Sequence, residues 1–385
     1  MTVTEMLFSL LRSELTSLPA DEKIKNSITE ENAKELYKLS KKYDIAQIIA
    51  SALSKIIKLD AFEAGKAFRK ELGLSVLRYE RMNYDYECVC NAFEKHNIPY
   101  IPLKGSVIRD FYPEPWMRTS CDIDILVHEE DLDRAVSVLC DEYSFTTKGN
   151  RDYHDISVFS ENGTHLELHF NIMENMENID TLLERVWEYS KSCMENSCRY
   201  EMSHEYIIFH NIAHMAYHFV NGGCGIRPFA DLYLLEKNLQ YDENSLSKLC
   251  EMCGIDKFRL SMEKLSRVWM ENEERDKLSN RVEQHIFSGG LYGNLETGSA
   301  VKHAKEGGHL KYIMTRVFQP YNVIKEKYPI LKKHKWLMPI YQVKRWGVVL
   351  TLKRDGIGKH LKAGTGVSKE EINKKIELFD DVGLN

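Results

Sequence analysis

The first part of the chain has apolar residues at the spacing of amphipathic helices. They recur every three or four positions within residues 3–18, 31–57 and 61–95, which predicts three helices. Ser27-Ile28-Thr29-Glu30 resembles a capping box at the start of the second helix. We therefore predict a helical N-terminal region over residues 1–97.

From residue 98 the pattern changes to short apolar runs separated by turn residues, which is typical of strands. An amphipathic stretch at residues 131–142 predicts a helix among them. The predicted strands lie at residues 100–103, 122–127, 145–148, 153–160 and 164–170. We expect these elements to form a core sheet within residues 98–175.

The remaining chain is again mostly helical, including a predicted helix at residues 204–220. A glycine-rich break that begins near residue 288 separates two further regions. We predict that residues 176–290 form a helical region packed on the core sheet. Residues 291–385 are predicted to be a basic, mainly helical C-terminal region.

The last predicted strand alternates two kinds of side chain. Its apolar positions Leu166 and Leu168 alternate with His165, Glu167 and His169. Because successive strand residues point to opposite faces, the carboxylate and two imidazoles lie on the face opposite the core. If this strand lies beside the one at residues 122–127, Glu167 can join the acids of that strand.

Composition and charge narrow the class of protein. The 385 residues are 43% hydrophobic and 29% charged, as in globular proteins, and the net charge of −6 argues against a wholly nucleic-acid-coating role. No apolar run approaches the roughly 20 residues that span a bilayer, and the N-terminus lacks the basic start of a signal peptide. The nine cysteines lack the repeated paired spacing of a zinc site or a dense disulfide framework, so we expect reduced thiols and a cytoplasmic protein.

Two aspartates at the head of an apolar strand are the strongest chemical signal. Asp122 and Asp124 share one strand face, while Ile123 and Ile125 pack beneath it. A divalent cation relieves the repulsion between two such carboxylates, and magnesium is commonly bound by carboxylates together with substrate phosphates. A Gly-Ser turn precedes the pair, and the stretch therefore indicates phosphate chemistry.

The order of these segments resembles the uncharacterised bacterial nucleotidyltransferases of the polymerase-beta-like superfamily. The resemblance covers roughly residues 95–240. The segments that carry it are Lys104-Gly105-Ser106, Tyr112-Pro113, Arg118, Asp122-Ile123-Asp124-Ile125-Leu126-Val127, Leu166-Glu167-Leu168-His169 and Arg227-Pro228-Phe229-Ala230-Asp231-Leu232.

The resemblance implies an α+β fold with a small mixed β-sheet flanked by helices. It also implies that Asp122, Asp124 and Glu167 hold two Mg²⁺ ions, and that Gly105 and Ser106 lie next to a nucleoside triphosphate. The implied reaction moves a nucleoside monophosphate from the triphosphate to an acceptor hydroxyl and releases pyrophosphate. Glu167 is either the third metal ligand or the base toward the acceptor, with a solvent-facing glutamate as the alternative.

Two basic residues flank the site motif. Lys104 as a point charge and Arg118 as a bidentate fork would neutralise the triphosphate, or both are simply solvated. Further along, Arg227 and Asp231 are expected to pair across one turn of a helix, or to contribute to the acceptor site.

Three histidines recur at four-residue spacing on the predicted helix at residues 204–220. His210, His214 and His218 would share one face of this helix. They either bind a metal or are satisfied by neighbouring protein groups.

The segment 302–362 combines fifteen Lys or Arg residues with three acidic ones, interleaved with aromatic residues. It is either a solvated helical face or a surface for an anionic partner. The second reading defines an alternative function, that of a non-catalytic nucleotide-binding or regulatory module. The acceptor of the transferase reaction stays open among a small metabolite, a glycan precursor, a protein and an RNA.

Overall fold

The computed structural model describes residues 1–16, 18–147, 151, 154–289, 318–352 and 368–384. The N-terminal region is helical, as predicted. Its helices are α1 (Val3–Leu15), α2 (Lys23–Ser27), α3 (Glu30–Lys42), α4 (Ala46–Ser54) and the long α5 (Glu63–Lys95).

The single helix predicted over residues 31–57 is wrong, because the chain breaks between α3 and α4. Asp44 has a φ of 54°, a left-handed value that interrupts a right-handed helix. The predicted cap is also shifted. Thr29 accepts a hydrogen bond from the Asn32 amide at 3.3 Å, and the Asn32 side chain accepts one from the Thr29 amide at 2.7 Å. These reciprocal bonds start α3 in place of the predicted Ser27 to Glu30 box.

A five-stranded mixed sheet follows, which confirms the α+β prediction. Its strands are β1 (Tyr100–Pro102), β2 (Asp122–Val127), β3 (Thr146–Thr147), β4 (Asp155–Phe159) and β5 (His165–His169), in the order β1-β2-β5-β4-β3. β2 and β5 pair in parallel, whereas the other neighbours are antiparallel. The short helix α6 (Gly105–Ile108) follows β1, and α7 (Leu132–Tyr143) follows β2.

One face of the sheet is covered by helices α5 and α7. Ile123, Ile125, Leu166 and Leu168 are buried in this layer and pack in one apolar cluster with Phe93 of α5. Burial of alternate residues on the central strands fixes their register, since a slip of one residue would turn these side chains to the opposite face. The polar side chains of β2 and β5 therefore face the other side.

The chain beyond the sheet is mainly helical. Its elements are α8 (Glu177–Leu183), the hairpin of β6 (Ser190–Ser192) and β7 (Tyr200–Met202), α9 (His204–Val220), α10 (Arg227–Asn238), α11 (Glu243–Met252), α12 (Asp256–Glu271) and α13 (Lys277–Gly289). A second, larger apolar cluster joins them to the N-terminal helices. Phe8 of α1, for example, stacks on Trp269 of α12 with ring centroids 4.8 Å apart.

Four helices are described in the C-terminal part. They are α14 (Tyr321–Lys327), α15 (Ile330–Lys333), α16 (Met338–Leu352) and α17 (Lys369–Val382). α17 packs against the larger cluster, where Phe379 lies 5.7 Å from the ring of Phe219. Much of the predicted anionic-partner surface, residues 302–317 and 353–362, lies outside the described residues. Within the described ranges, no helix combines the length and apolar character needed to cross a bilayer.

Candidate active site

Three carboxylates meet where the parallel strands β2 and β5 lie side by side. Asp122 pairs in register with His165, and Asp124 with Glu167. Side-chain atoms of Asp122, His165 and Glu167 lie within 4.8 Å of one another, and so do those of Asp124, Glu167 and His169. The predicted strand pairing is therefore confirmed. Glu167 belongs to both groups, each of which has the composition of a metal site.

His169 lies among these acids. Its Nε2 is 2.9 Å from Asp124 Oδ1 and 3.5 Å from Glu167 Oε2. Burial opposes protonation of the imidazole, but the hydrogen bonds to both carboxylates raise the pKa of His169 to about 9. A protonated His169 thus supplies one positive charge to a cluster of three acids.

The two aspartates respond to this setting in opposite directions. Burial, followed by the charges of Asp124 and Glu167, raises the pKa of Asp122 to about 6. Burial acts in the same sense on Asp124, yet the hydrogen bond from His169 and the charge of Lys104 hold the pKa of Asp124 well below its usual range. The negative charge that lacks compensation is therefore concentrated at Asp122.

Lys104 and Ser106 flank the start of helix α6. Lys104 has a φ of 38°, which is unusual for a residue with a side chain. Burial works against its charge, but Asp124 and three other acids raise the pKa of Lys104. It forms no ion pair with any residue that the structure describes. The Ser106 hydroxyl is buried and likewise has no hydrogen-bond partner in the described part of the chain.

Gly105 lies in close contact with Arg118 at the same turn. A Cβ atom added there would lie 2.8 Å from Nη1 of Arg118 and 3.3 Å from Cβ of Ser120. A side chain at this position would therefore displace the Arg118 guanidinium. Gly105 thus allows the Arg118 guanidinium to lie against the turn, a reason for the glycine that differs from the predicted approach of a phosphate.

Arg118 is paired with a buried acid. Its Nε donates to Asp231 Oδ1 at 3.0 Å and its Nη2 to Asp231 Oδ2 at 2.8 Å, while the Tyr112 hydroxyl also donates to Oδ1 at 2.7 Å. The predicted pair between Arg227 and Asp231 does not form. Arg227 instead donates to Asp44 Oδ2 at 2.7 Å, because Asp231 faces the loop that carries Arg118. The nucleotide contact of Arg118 stays a prediction.

A cavity of about 410 Å³ extends from the carboxylates to helices α9 and α10. Lys104 and the three acids line one part of it, and His210, His214 and Arg227 of the two helices line another. The sequence predicted that six site residues are neighbours, and all six line this cavity: Lys104, Gly105, Arg118, Asp122, Asp124 and Glu167. Ser106 lies beside the cavity wall but does not line the cavity.

The α9 histidines differ in their partners. His214 Nδ1 is 2.6 Å from Glu174 Oε1, and His218 Nε2 is 3.1 Å from His214 Nε2. Burial opposes ionisation of Glu174, but the charge of His214 and the hydrogen bond to it lower the pKa of Glu174 to about 2. None of the three histidines belongs to a candidate metal group within the described residues. His214 and His218 are therefore satisfied by protein groups.

Comparison with known families places these features in context. A family model described as an uncharacterised nucleotidyltransferase matches residues 29–271, more than half of the chain. The chain belongs to this nucleotidyltransferase family. A comparison with curated proteins finds no match.

The matched part of this nucleotidyltransferase begins at Thr29, the cap of α3, and ends at Glu271, the last residue of α12. It extends on both sides of the predicted resemblance over residues 95–240. Helices α3 to α5 therefore lie within the matched part, and the hydrogen bond from Arg227 to Asp44 links this region to α10. The enzyme class, nucleotidyl transfer, follows from this match.

Several residues of this nucleotidyltransferase site had no assigned role from sequence. His165 and His169 fall on the polar face of β5 by alternation, but that pattern did not show that His169 bonds two acids. Glu174 lies in the loop after β5, without regular periodicity. Only the fold brings it to His214 of α9.

Proposed function

We propose that this nucleotidyltransferase moves a nucleoside monophosphate from a nucleoside triphosphate to an acceptor hydroxyl in a magnesium-dependent reaction that releases pyrophosphate. The observation that carries the proposal is the parallel register of β2 and β5. It brings Asp122, Asp124 and Glu167 together on one polar face that lines the cavity. The nine free thiols support a reducing, cytoplasmic setting.

The donor set fits Mg²⁺. Carboxylate oxygens are the hard ligands that Mg²⁺ prefers, and the raised pKa of Asp122 reflects burial and negative charges that a cation would offset. Asp122, Asp124 and Glu167 would hold the metal, and we propose two ions that share Glu167, the residue common to both side-chain groups. Bound Mg²⁺ would promote ionisation of the acceptor hydroxyl and stabilise charge on the leaving pyrophosphate.

The turn before α6 supplies groups for the triphosphate. The Ser106 hydroxyl has no partner within the described residues, but it lies beside the cavity wall rather than on it, so its bond to a phosphate oxygen stays a prediction. Lys104 provides positive charge for the triphosphate. It lines the cavity and forms no ion pair with an acid among the described residues. Arg118 is held by Asp231, so its main contribution is to keep the turn at Gly105 in place.

The proposal is tested by measuring pyrophosphate release from each of the four nucleoside triphosphates with and without Mg²⁺. We expect wild-type release to require Mg²⁺ and the double variant Asp122→Asn/Asp124→Asn to lack it. Asp85→Asn is the matched control, because Asp85 is also a buried acid but accepts hydrogen bonds from Ser160 and Asn162 away from the cavity. The acceptor classes, a small metabolite, glycan precursor, protein or RNA, are compared by adding each to the assay.

Two outcomes would contradict the proposal. Wild-type release in the double variant would show that the aspartates do not hold the required metal. Tight, magnesium-dependent nucleotide binding without release for any acceptor class would favour the non-catalytic nucleotide-binding module.

A further inference from the structure

Of the three α9 histidines at four-residue spacing, His210 differs from His214 and His218 in a way that the proposed reaction does not explain. His214 and His218 form a hydrogen-bonded chain with Glu174. His210, one turn earlier, is only 3% exposed and lines the cavity, yet it forms no hydrogen bond with any described residue. Its Nε2 is a buried nitrogen without a partner in the part of the chain that the structure describes.

Buried polar groups in folded proteins are nearly always hydrogen-bonded, so an exception calls for an explanation. His285 of α13 provides a comparison within the same chain. It is equally buried, at 4% exposure, and its Nδ1 has no partner among the described residues, but its Nε2 bonds the Phe219 carbonyl at 2.9 Å and the ring does not line the cavity. His285 is thus a structural histidine, whereas His210 has its open hydrogen-bonding capacity at the cavity wall.

The surroundings of His210 restrict the chemistry of its partner. Burial, together with the positive charges of Lys104 and His214, lowers the pKa of His210 to about 3. The ring is therefore neutral near pH 7, with one nitrogen that donates and one that accepts. An alcohol also donates and accepts, whereas a phosphate only accepts and is better served by Lys104.

We propose that His210 binds a substrate hydroxyl within the cavity. This inference rests on the proposed function, and it adds a substrate-binding residue from helix α9 to the cavity that the carboxylates line. The hydroxyl belongs either to the ribose of the nucleotide or to the acceptor. Both sources present the same group to the ring, and the experiment below separates them.

The test follows the imidazole signals of ¹⁵N-histidine-labelled full-length protein by NMR, with the His210 signal assigned from its loss in His210→Phe. The first probe is the α,β-methylene nucleoside triphosphate that binds best with Mg²⁺, and the second is its 2′,3′-dideoxy form. The third is glycerol, a minimal acceptor, added to the dideoxy complex. The His285 signal serves as the matched reference.

We expect the His210 signal to shift while that of His285 stays in place. A shift with the ribonucleotide that is absent with the dideoxy form assigns the hydroxyl to ribose. A shift that appears only with glycerol assigns it to the acceptor. An unchanged His210 signal with all three probes, in protein that binds the nucleotide, overturns the inference while the proposed function stands.

Affinity provides a second readout. His210→Phe should weaken binding of the hydroxyl-bearing probe by about tenfold, the effect expected of one lost hydrogen bond. His210→Asn should recover part of the affinity, and His285→Phe should leave it unchanged. Equal affinities of wild type and His210→Phe for both hydroxyl-bearing probes would contradict the inference. If the wild-type protein binds no nucleotide with Mg²⁺, the proposed function fails and the inference fails with it.

Discussion

Part of the cavity is lined by strands β2 and β5 and the turn before α6, which we call the sheet wall, and part by helices α9 and α10, the helical wall. Both walls contain buried charges, but these charges are neutralised in different ways. On the helical side, Asp231 is paired with Arg118, and Glu174 is bonded to His214. On the sheet side, three carboxylates converge and His169 bonds only two of them directly. The raised pKa of Asp122 is consistent with this remaining excess of negative charge.

This difference separates groups that hold the cavity in shape from groups that await a ligand. A buried charge with a bidentate partner is fixed in position and has little capacity left for a substrate. A cluster of like charges is unfavourable until a cation joins it. Variants on the two walls should therefore have different consequences, and three predictions test this.

The largest effect on stability should come from Asp231→Ala on the helical wall. Removing one partner of a buried ion pair leaves the Arg118 guanidinium without compensation, which costs about 3–5 kcal/mol. Tyr112 would lose its acceptor as well. We expect the free energy of unfolding, measured by urea denaturation, to fall by this amount.

The double variant Arg118→Leu/Asp231→Leu is the control for that prediction. It leaves no unpaired charge, so it should recover part of the stability lost in Asp231→Ala. If the single variant is as stable as wild type, the pair does not hold the helical wall, and Arg118 is available for the nucleotide.

A smaller and pH-dependent effect is expected for Glu174→Gln. The pKa of Glu174 is about 2 in the folded protein against an ordinary 4.5, so its carboxylate stabilises the fold fully above about pH 4.5 and loses this contribution as the pH falls toward 2. The variant should be less stable than wild type at pH 7 by on the order of 2 kcal/mol.

Urea denaturation of both proteins between pH 7 and pH 3 checks the sign of this effect. The stability difference should narrow below about pH 4.5, because Glu174 of the unfolded wild-type chain takes up a proton there while Glu174 of the folded protein stays ionised. A difference that stays constant across this range would mean that Glu174 acts through packing rather than through its charge.

The sequence predicted individual strands and helices of both walls better than the contacts of the helical wall. Strand β2 and helix α9 have the predicted bounds, because each depends on local periodicity. Alternation also placed Glu167 and His169 on one strand face. These features can be inferred from residues that are close together in the chain.

The charge pairs of the helical wall depend on distant parts of the chain. Asp44 and Arg227 are 183 positions apart, and Arg118 and Asp231 are 113 apart. Local spacing suggested instead that Arg227 and Asp231 bond across one helical turn. It could not show that a break after α3 brings Asp44 to Arg227.

The smallest of the three effects is a loss of nucleotide affinity on substitution of Lys104. This lysine forms no ion pair with any residue that the structure describes. If its charge serves the triphosphate, Lys104→Met should weaken binding of an α,β-methylene nucleoside triphosphate in Mg²⁺ by about tenfold. The difference between variant and wild type should shrink at high salt, since screening weakens charge interactions. Lys55→Met is the matched control. Lys55 lies outside the cavity lining, and its Nζ pairs with Oε2 of Glu14 at a distance of 2.7 Å.

Calorimetric titration at low and high salt provides the measurement. An affinity of Lys104→Met equal to that of wild type at low salt would assign the Lys104 charge to offsetting the carboxylates rather than to binding the nucleotide.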